Sequence, residues 1–202
     1  QMFIHNTTLL HEIIKISFTD APHGLKYNAA RARVCNFSIL FWYATMNDND
    51  FSAAVSERRF GGIARLYGAD ALNRFAAAHV CVVGVGGVGS WAVEALARSG
   101  VGKLTLIDLD NVAVSNVNRQ LHALTPAFGQ AKVRALHERV LQINPCCQLI
   151  EIEDFVDENN VADFFLQPYD FVIDAIDQMR VKVAMVNYFV KHKQAFILSG
   201  GA

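Results

Sequence analysis

The feature that most constrains this chain is a set of glycines placed directly behind a run of apolar residues. Val80-Cys81-Val82-Val83 is uninterrupted by any polar residue. Such a run reads as a strand buried on both faces of a parallel sheet. It leads straight into Gly84, Gly86, Gly87 and Gly89, and Trp91 to Arg98 then has helical composition. A tight turn here needs residues without a Cβ. The helix behind it begins with unpaired N–H groups and a positive dipole end, which suit a phosphate. Strand, glycine turn and helix in that order open a nucleotide-binding βαβ unit. The spacing Gly84-x-Gly86-x-x-Gly89 also fits a dinucleotide fingerprint, so the turn alone does not choose the nucleotide.

The downstream residues narrow the choice. A second strand, Lys103 to Ile107, ends in Asp108-Leu109-Asp110. Ser115-Asn116-Val117-Asn118-Arg119-Gln120 and Gly129-Gln130-Ala131-Lys132 come next. Gly129 to Asn144 has helical spacing, and Pro145 stops it. Gln148 to Ile152 is a third strand and Asp157 to Leu166 a helix. Phe171 to Ala175 is a fourth strand that leads to Asp177. Arg180 to His192 is a helix, and Ala195 to Ser199 a fifth strand. Strands alternating with helices at this spacing predict an α/β fold with a doubly wound, mostly parallel, Rossmann-like sheet. Upstream, Phe51 to Phe75 reads as helical, with a break at Gly61-Gly62. Each of these two glycines weakens a helix by roughly 1 kcal/mol. Asp70 to Ala78 forms a second short helix.

Residues 1–45 do not resemble the rest. The basic stretch at Arg31 and Arg33 and the apolar patch Phe37 to Ala44 admit a signal peptide. A non-native leader is the better expectation, with Met46-Asn-Asp-Asn-Asp as the true start and 46–202 as the domain. The chain stops at Ala202 directly behind a strand, so the domain is expected to be incomplete there. The net charge of −1 gives no sign of a basic nucleic-acid binder. The four cysteines form no CxxC pair, which suits a reducing compartment, the cytoplasm. No apolar run has the roughly 18 residues of a membrane span, so no stable membrane association is expected.

Taken in register, these motifs resemble the adenylation domain of the ubiquitin-activating-like superfamily. That superfamily includes the adenylyltransferases of molybdopterin and thiamine synthesis. The resemblance covers about residues 56 to 202. Within it, Arg59 to Gly68, Gly87 to Trp91, Asn118 to Leu124 and Val172 to Asp177 resemble the tRNA-modifying branch. Members of that branch use ATP to dehydrate threonylcarbamoyladenosine to its cyclic form, through an acyl-adenylate. The resemblance implies ATP and Mg²⁺ as cofactors. It implies tRNA and a second copy of the chain as partners, and for the superfamily at large a sulfur-transfer partner protein.

The resemblance also implies a role for each site residue. Gly84, Gly86, Gly87 and Gly89 let backbone approach the phosphates. Asp108 accepts from the ribose hydroxyls, and Asp110 supports Asp108 or the metal. Arg119 and Lys132 stabilise charge growing on the α-phosphate and pyrophosphate. Asn116 orients Arg119, touches phosphate or caps a helix. Asp177 holds Mg²⁺ through oxygen. Asp174 is assigned a structural role and His122 a packing role. Relatives that activate a sulfur carrier bear an Arg where this chain has Gly62, and Arg65 is a weak substitute. Three alternatives stay open: an enzyme that adenylates the C-terminal glycine of a ubiquitin-like sulfur carrier, a nicotinamide-dependent dehydrogenase, and a non-catalytic adaptor of the same fold.

Overall fold

The computed structural model describes residues 48–199. Within the first helix, side chains are described from Arg58 onward. The expected leader, residues 1–45, lies outside the described residues.

The order of elements is α1 (Asp48–Tyr67), α2 (Ala69–Ala77), β1 (His79–Val83), α3 (Gly89–Arg98) and β2 (Lys103–Ile107). After two short 3₁₀ turns come α4 (Lys132–Ile143), β3 (Gln148–Ile152), α5 (Val161–Phe164), β4 (Phe171–Asp174), α6 (Met179–His192) and β5 (Phe196–Leu198). All pairings in the five-stranded sheet are parallel, and the strand order is β3-β2-β1-β4-β5. This is the doubly wound arrangement that the alternation predicts.

Alternation along each strand builds the two core layers. Val80 and Val82 face one layer with Leu104, Leu106, Val93, Ala97, Val133, Leu136 and Val140. Cys81 and Val83 face the other with Ile107, Val172, Val181, Met185 and Phe189. Helices α3 and α4 therefore cover one face and α6 the other. Across the first face, Arg139 of α4 donates two hydrogen bonds to Glu94 of α3, at 2.6 and 3.0 Å.

Three expectations about helices need correction. Helix α1 runs unbroken through Gly61 and Gly62. Its neighbours hold it there: Phe60 is buried against Gly100, and Arg59 donates to the carbonyl of Ile143 at the end of α4, 2.9 Å away. The break comes instead at Gly68, where φ is +90°. Helix α4 begins at Lys132 and not at Gly129, because Gly129 is left-handed and Asn111 bridges Ala131 in extended pairing. Helix α5 is a single turn. Asp157 accepts the N–H groups of Asn159 and Asn160 through its side chain, so residues 157–160 form a turn of their own.

Candidate functional site

Strand order reverses at β1, since β2 lies on one side of it and β4 on the other. In doubly wound sheets the crevice outside the strand C-termini at that point binds ligands. Here a cleft of about 440 Å³ opens there. The ends of β1, β2 and β4 meet in its floor, at Val83, Ile107 and Ala175.

The glycine turn forms one wall. Gly84 has φ +80°, and a Cβ there would stand 2.8 Å from Ile176 Cγ2. At Gly89 a Cβ would stand 1.8 Å from the carbonyl oxygen of Gly84. These two glycines let the turn close on itself and on the β4 end. Gly84, Gly86 and Gly87 line the cleft, whereas Gly89 lies behind it as the first residue of α3. The N–H groups of Gly86, Gly87 and Val88 donate to no described group. Successive free N–H groups at a helix start form a cradle for an anion.

Asp108 sits one residue beyond β2. Its carboxylate accepts the Val85 N–H at 2.8 Å and the Asp110 N–H at 2.9 Å. Those two bonds fix its orientation at the cleft. Asp110 is exposed, and its carboxylate takes the ammonium of Lys132 at 2.6 Å. Lys132 is buried and also reaches within 3.9 Å of Asp108. Arg119 comes from the irregular crossover after β2. Its stem lies over Gly87, 3.4 Å from where a Cβ would stand. Its guanidinium donates to Asn118 Oδ1 at 3.0 Å and to the Ser115 carbonyl at 3.3 Å. Trp91 holds the segment by donating its indole N–H to the Arg119 carbonyl at 3.0 Å.

Asp177 lies across the cleft, exposed, with no ion pair or hydrogen bond to a described residue. Asp174 is fully buried and pairs with Lys182 of α6 at 3.0 Å. Asn116 stands apart from the cleft. It is buried, and its side-chain oxygen accepts the Ala113 N–H at 2.9 Å, which makes it a cap of the first 3₁₀ turn. His122 is buried, and burial, aided by Lys132, pushes its pKa down to about 4.

The structure thus gathers Gly84, Gly86, Gly87, Asp108, Asp110, Arg119, Lys132 and Asp177 around one cleft. It leaves Asn116 and Gly89 outside the cleft wall. Gln120, Asp154, Phe155 and Val156 are among the lining residues to which the sequence assigns no role. Part of their placement is legible in the sequence. Residues 154–156 begin two residues past β3, whose C-terminal end lies on the same edge as those of β1 and β2.

A family model, the ThiF family, matches residues 61–202. The chain belongs to the ThiF family. It is 54% identical over 145 residues to the tRNA threonylcarbamoyladenosine dehydratase of Escherichia coli K12, covering 72% of this chain and 54% of that protein. It is 44% identical over 135 residues to the enzyme of that name from Bacillus subtilis 168, covering 67% and 53%. The crystal structure of the E. coli dehydratase, TcdA, in complex with ATP superposes with a TM-score of 0.72 at 50% identity. The match covers 78% of this chain and 63% of that one. The chain spans about half the length of the curated relatives it matches. The glycine turn, both acidic strand ends and the Arg119 segment all fall inside the ThiF-family match. No helix among the described residues is long and apolar enough to cross a membrane.

Proposed function

We propose that this chain is the ATP-binding, adenylate-forming part of an enzyme that dehydrates threonylcarbamoyladenosine in tRNA. The observation that carries the reading is the cleft itself. A free N–H cradle, an oriented ribose-type acid and two cations stand around one crevice. The stretch that builds it matches the E. coli dehydratase at 54% identity.

In this reading the nucleotide phosphates lie on the N–H groups of Gly86, Gly87 and Val88. Asp108 accepts from the ribose hydroxyls. The substrate's threonyl carboxylate attacks the α-phosphorus and pyrophosphate leaves. The neighbouring carbamoyl group then attacks the activated carbonyl, the ring closes, its N–H proton passes to solvent and AMP departs. Holding both groups in one molecule makes the second step intramolecular. Arg119 turns from Asn118 toward the charge that grows on the phosphate oxygens. Lys132, held by Asp110, supplies a second fixed cation from below.

The described residues hold no group of three or more His, Cys, Asp or Glu able to bind a metal by themselves. Mg²⁺ does not require one, since it is commonly held by one or two carboxylates together with substrate phosphates and water. The unpaired Asp177 carboxylate fits that role, and Mg²⁺ would supply charge neutralisation on the phosphates there. A homodimer in the cytoplasm completes the reading, with residues 46–202 as the adenylation domain and 1–45 as a leader.

The test is nucleoside mass spectrometry on tRNA incubated with ATP and the full-length protein. The expected result is ATP-dependent loss of one water from threonylcarbamoyladenosine. If that nucleoside stays linear while a small protein ending in Gly-Gly is adenylated, the sulfur-carrier reading replaces this one. NAD binding without ATP binding, measured by calorimetry, would point to the dehydrogenase class.

A further inference from the structure

Behind the cleft lies a charge pair that the proposed chemistry does not use. Asp174, the last residue of β4, is fully buried, and Lys182, in the second turn of α6, is nearly so. One carboxylate oxygen of Asp174 accepts both the Lys182 ammonium at 3.0 Å and the Ile176 N–H at 3.1 Å. The same ammonium donates to the Ser199 carbonyl at 2.8 Å, just past β5. The Ser199 N–H in turn donates to the Asp174 carbonyl at 2.9 Å. One lysine therefore ties together α6, the end of β4, the end of β5 and the turn at residues 174–177.

That turn is gripped from the other side as well. The Ala175 N–H donates to the Val83 carbonyl at 2.8 Å. Ile176 is pressed onto Gly84, and Ala175 onto Gly89. The turn is thus wedged between the glycine turn and the lysine. Asp177 comes immediately after it and has no partner of its own among the described residues, so its position depends on this wedge. A buried ion pair is a poor source of stability, because an apolar pair of the same volume avoids the desolvation cost. What it supplies here is direction: a donor that must meet two fixed acceptors allows one placement of the turn.

We propose that Lys182 and Asp174 are positioning residues for Asp177, clamping the turn at residues 174–177 so that the Asp177 carboxylate meets the metal of the bound nucleotide. This rests on the proposed role of Asp177. Outer partners of a metal-binding carboxylate typically contribute about 10- to 100-fold to metal affinity.

The test is calorimetry of ATP binding to the full-length protein, with Mg²⁺ and with EDTA. The variant D174N/K182M removes both charges, keeps an acceptor for the Ile176 N–H and fills the lysine's volume. The expected result is Mg·ATP affinity about tenfold weaker, ATP affinity in EDTA unchanged, and no further loss when D177N is added. Amide exchange at Ile176 should speed up in the same variant. K182R keeps both charges but changes the geometry of the clamp, and covers the case in which the double variant does not fold. It should show the same selective loss, smaller. Equal weakening with and without Mg²⁺, or no weakening, overturns the proposal. So does a loss that persists in the D177N background. If D177N alone leaves Mg·ATP binding unchanged, the metal role of Asp177 fails and the positioning role with it. A D177N effect without an effect of D174N/K182M sinks the positioning role alone.

Discussion

Strands β2 and β4 flank β1, and each ends in a pair of acids: Asp108 and Asp110 on one side, Asp174 and Asp177 on the other. Each pair is served by one lysine, Lys132 of α4 or Lys182 of α6. The two ends nevertheless use their acids in opposite order. At β2 the first acid turns to the cleft and the second takes the lysine. At β4 the first acid takes the lysine inside the core and the second turns to the cleft. Register explains the inversion. Val83 pairs with Ile107 on one side and with Asp174 on the other, so Asp174 occupies a core row. Asp108 stands one residue beyond that row. A single step along a strand moves a side chain to the other face and, at a strand end, out to the rim. An acid at a strand end is thus a site residue or a structural residue according to its register, and not its type.

The inverted order of the two ends predicts a large asymmetry in stability. Asp174→Ala leaves the Lys182 ammonium buried without its partner and should cost about 3–5 kcal/mol. Asp108→Asn keeps one of the two acceptors that Val85 and Asp110 use and introduces no buried unpaired charge, so it should cost less, about 1–2 kcal/mol. For nucleotide binding the order reverses. Asp108→Asn should weaken ATP affinity roughly 10- to 100-fold, the worth of hydrogen bonds to a charged group. Urea denaturation and calorimetry on both variants check this. A stable Asp174→Ala beside an unfolded Asp108→Asn would reverse the assignment of the two ends.

Two side chains that project over the cleft from opposite sides sharpen the contrast. Arg119→Ala and Asp177→Ala should each slow ATP-dependent dehydration of tRNA about 10²- to 10³-fold. Both side chains are exposed, so each substitution should change stability by no more than about 0.5 kcal/mol in thermal melts. A fall in turnover that tracks a fall in melting temperature would make either residue structural.

The glycine turn, which both ends enclose, offers an internal control. Gly89→Ala places a methyl against the Gly84 carbonyl oxygen, side chain against backbone, and should destabilise by about 1–3 kcal/mol. Gly87→Ala meets only the stem of Arg119 at ordinary contact distance. It should leave stability within about 0.5 kcal/mol while weakening ATP binding. Thermal melts with and without ATP distinguish the two.

The smallest effect at neutral pH comes from His122, beside Lys132 on the β2 side. Its folded pKa of about 4 lies below the ordinary 6.5. The unfolded chain therefore binds a proton more readily than the folded one. Stability should fall as pH drops from about 6.5 to about 4, by up to about 3 kcal/mol, and level off below. His122→Leu should change little at pH 7, since neither ring nitrogen has a partner to lose. It should flatten the acid slope. An unchanged slope in urea midpoints between about pH 4 and 6.5 would assign the acid sensitivity to another group.

The order of strands and helices, the glycine turn and the acids at two strand ends are legible in the residues alone. These are local properties. An apolar run of this length, glycines without a Cβ and the period of a helix act within a few residues of one another. Asp108 and Asp177 can be read in the same way, because each stands just past a strand end, whereas the roles of Arg119 and Lys132 follow from the resemblance of their motifs to the family's. Packing between distant elements sets the rest. Helix α1 passes through Gly61 and Gly62 because Phe60 and Arg59 find partners beside α3 and on α4. Asn116 is a turn cap away from the cleft because the crossover folds back on Ala113. Gln120 and Phe155 enter the cleft wall because β2 and β3 bring their C-terminal ends to one edge. Asp174 goes inside and Asp108 outside because register across three strands, which no single stretch of sequence contains, sets the height of each residue in the sheet.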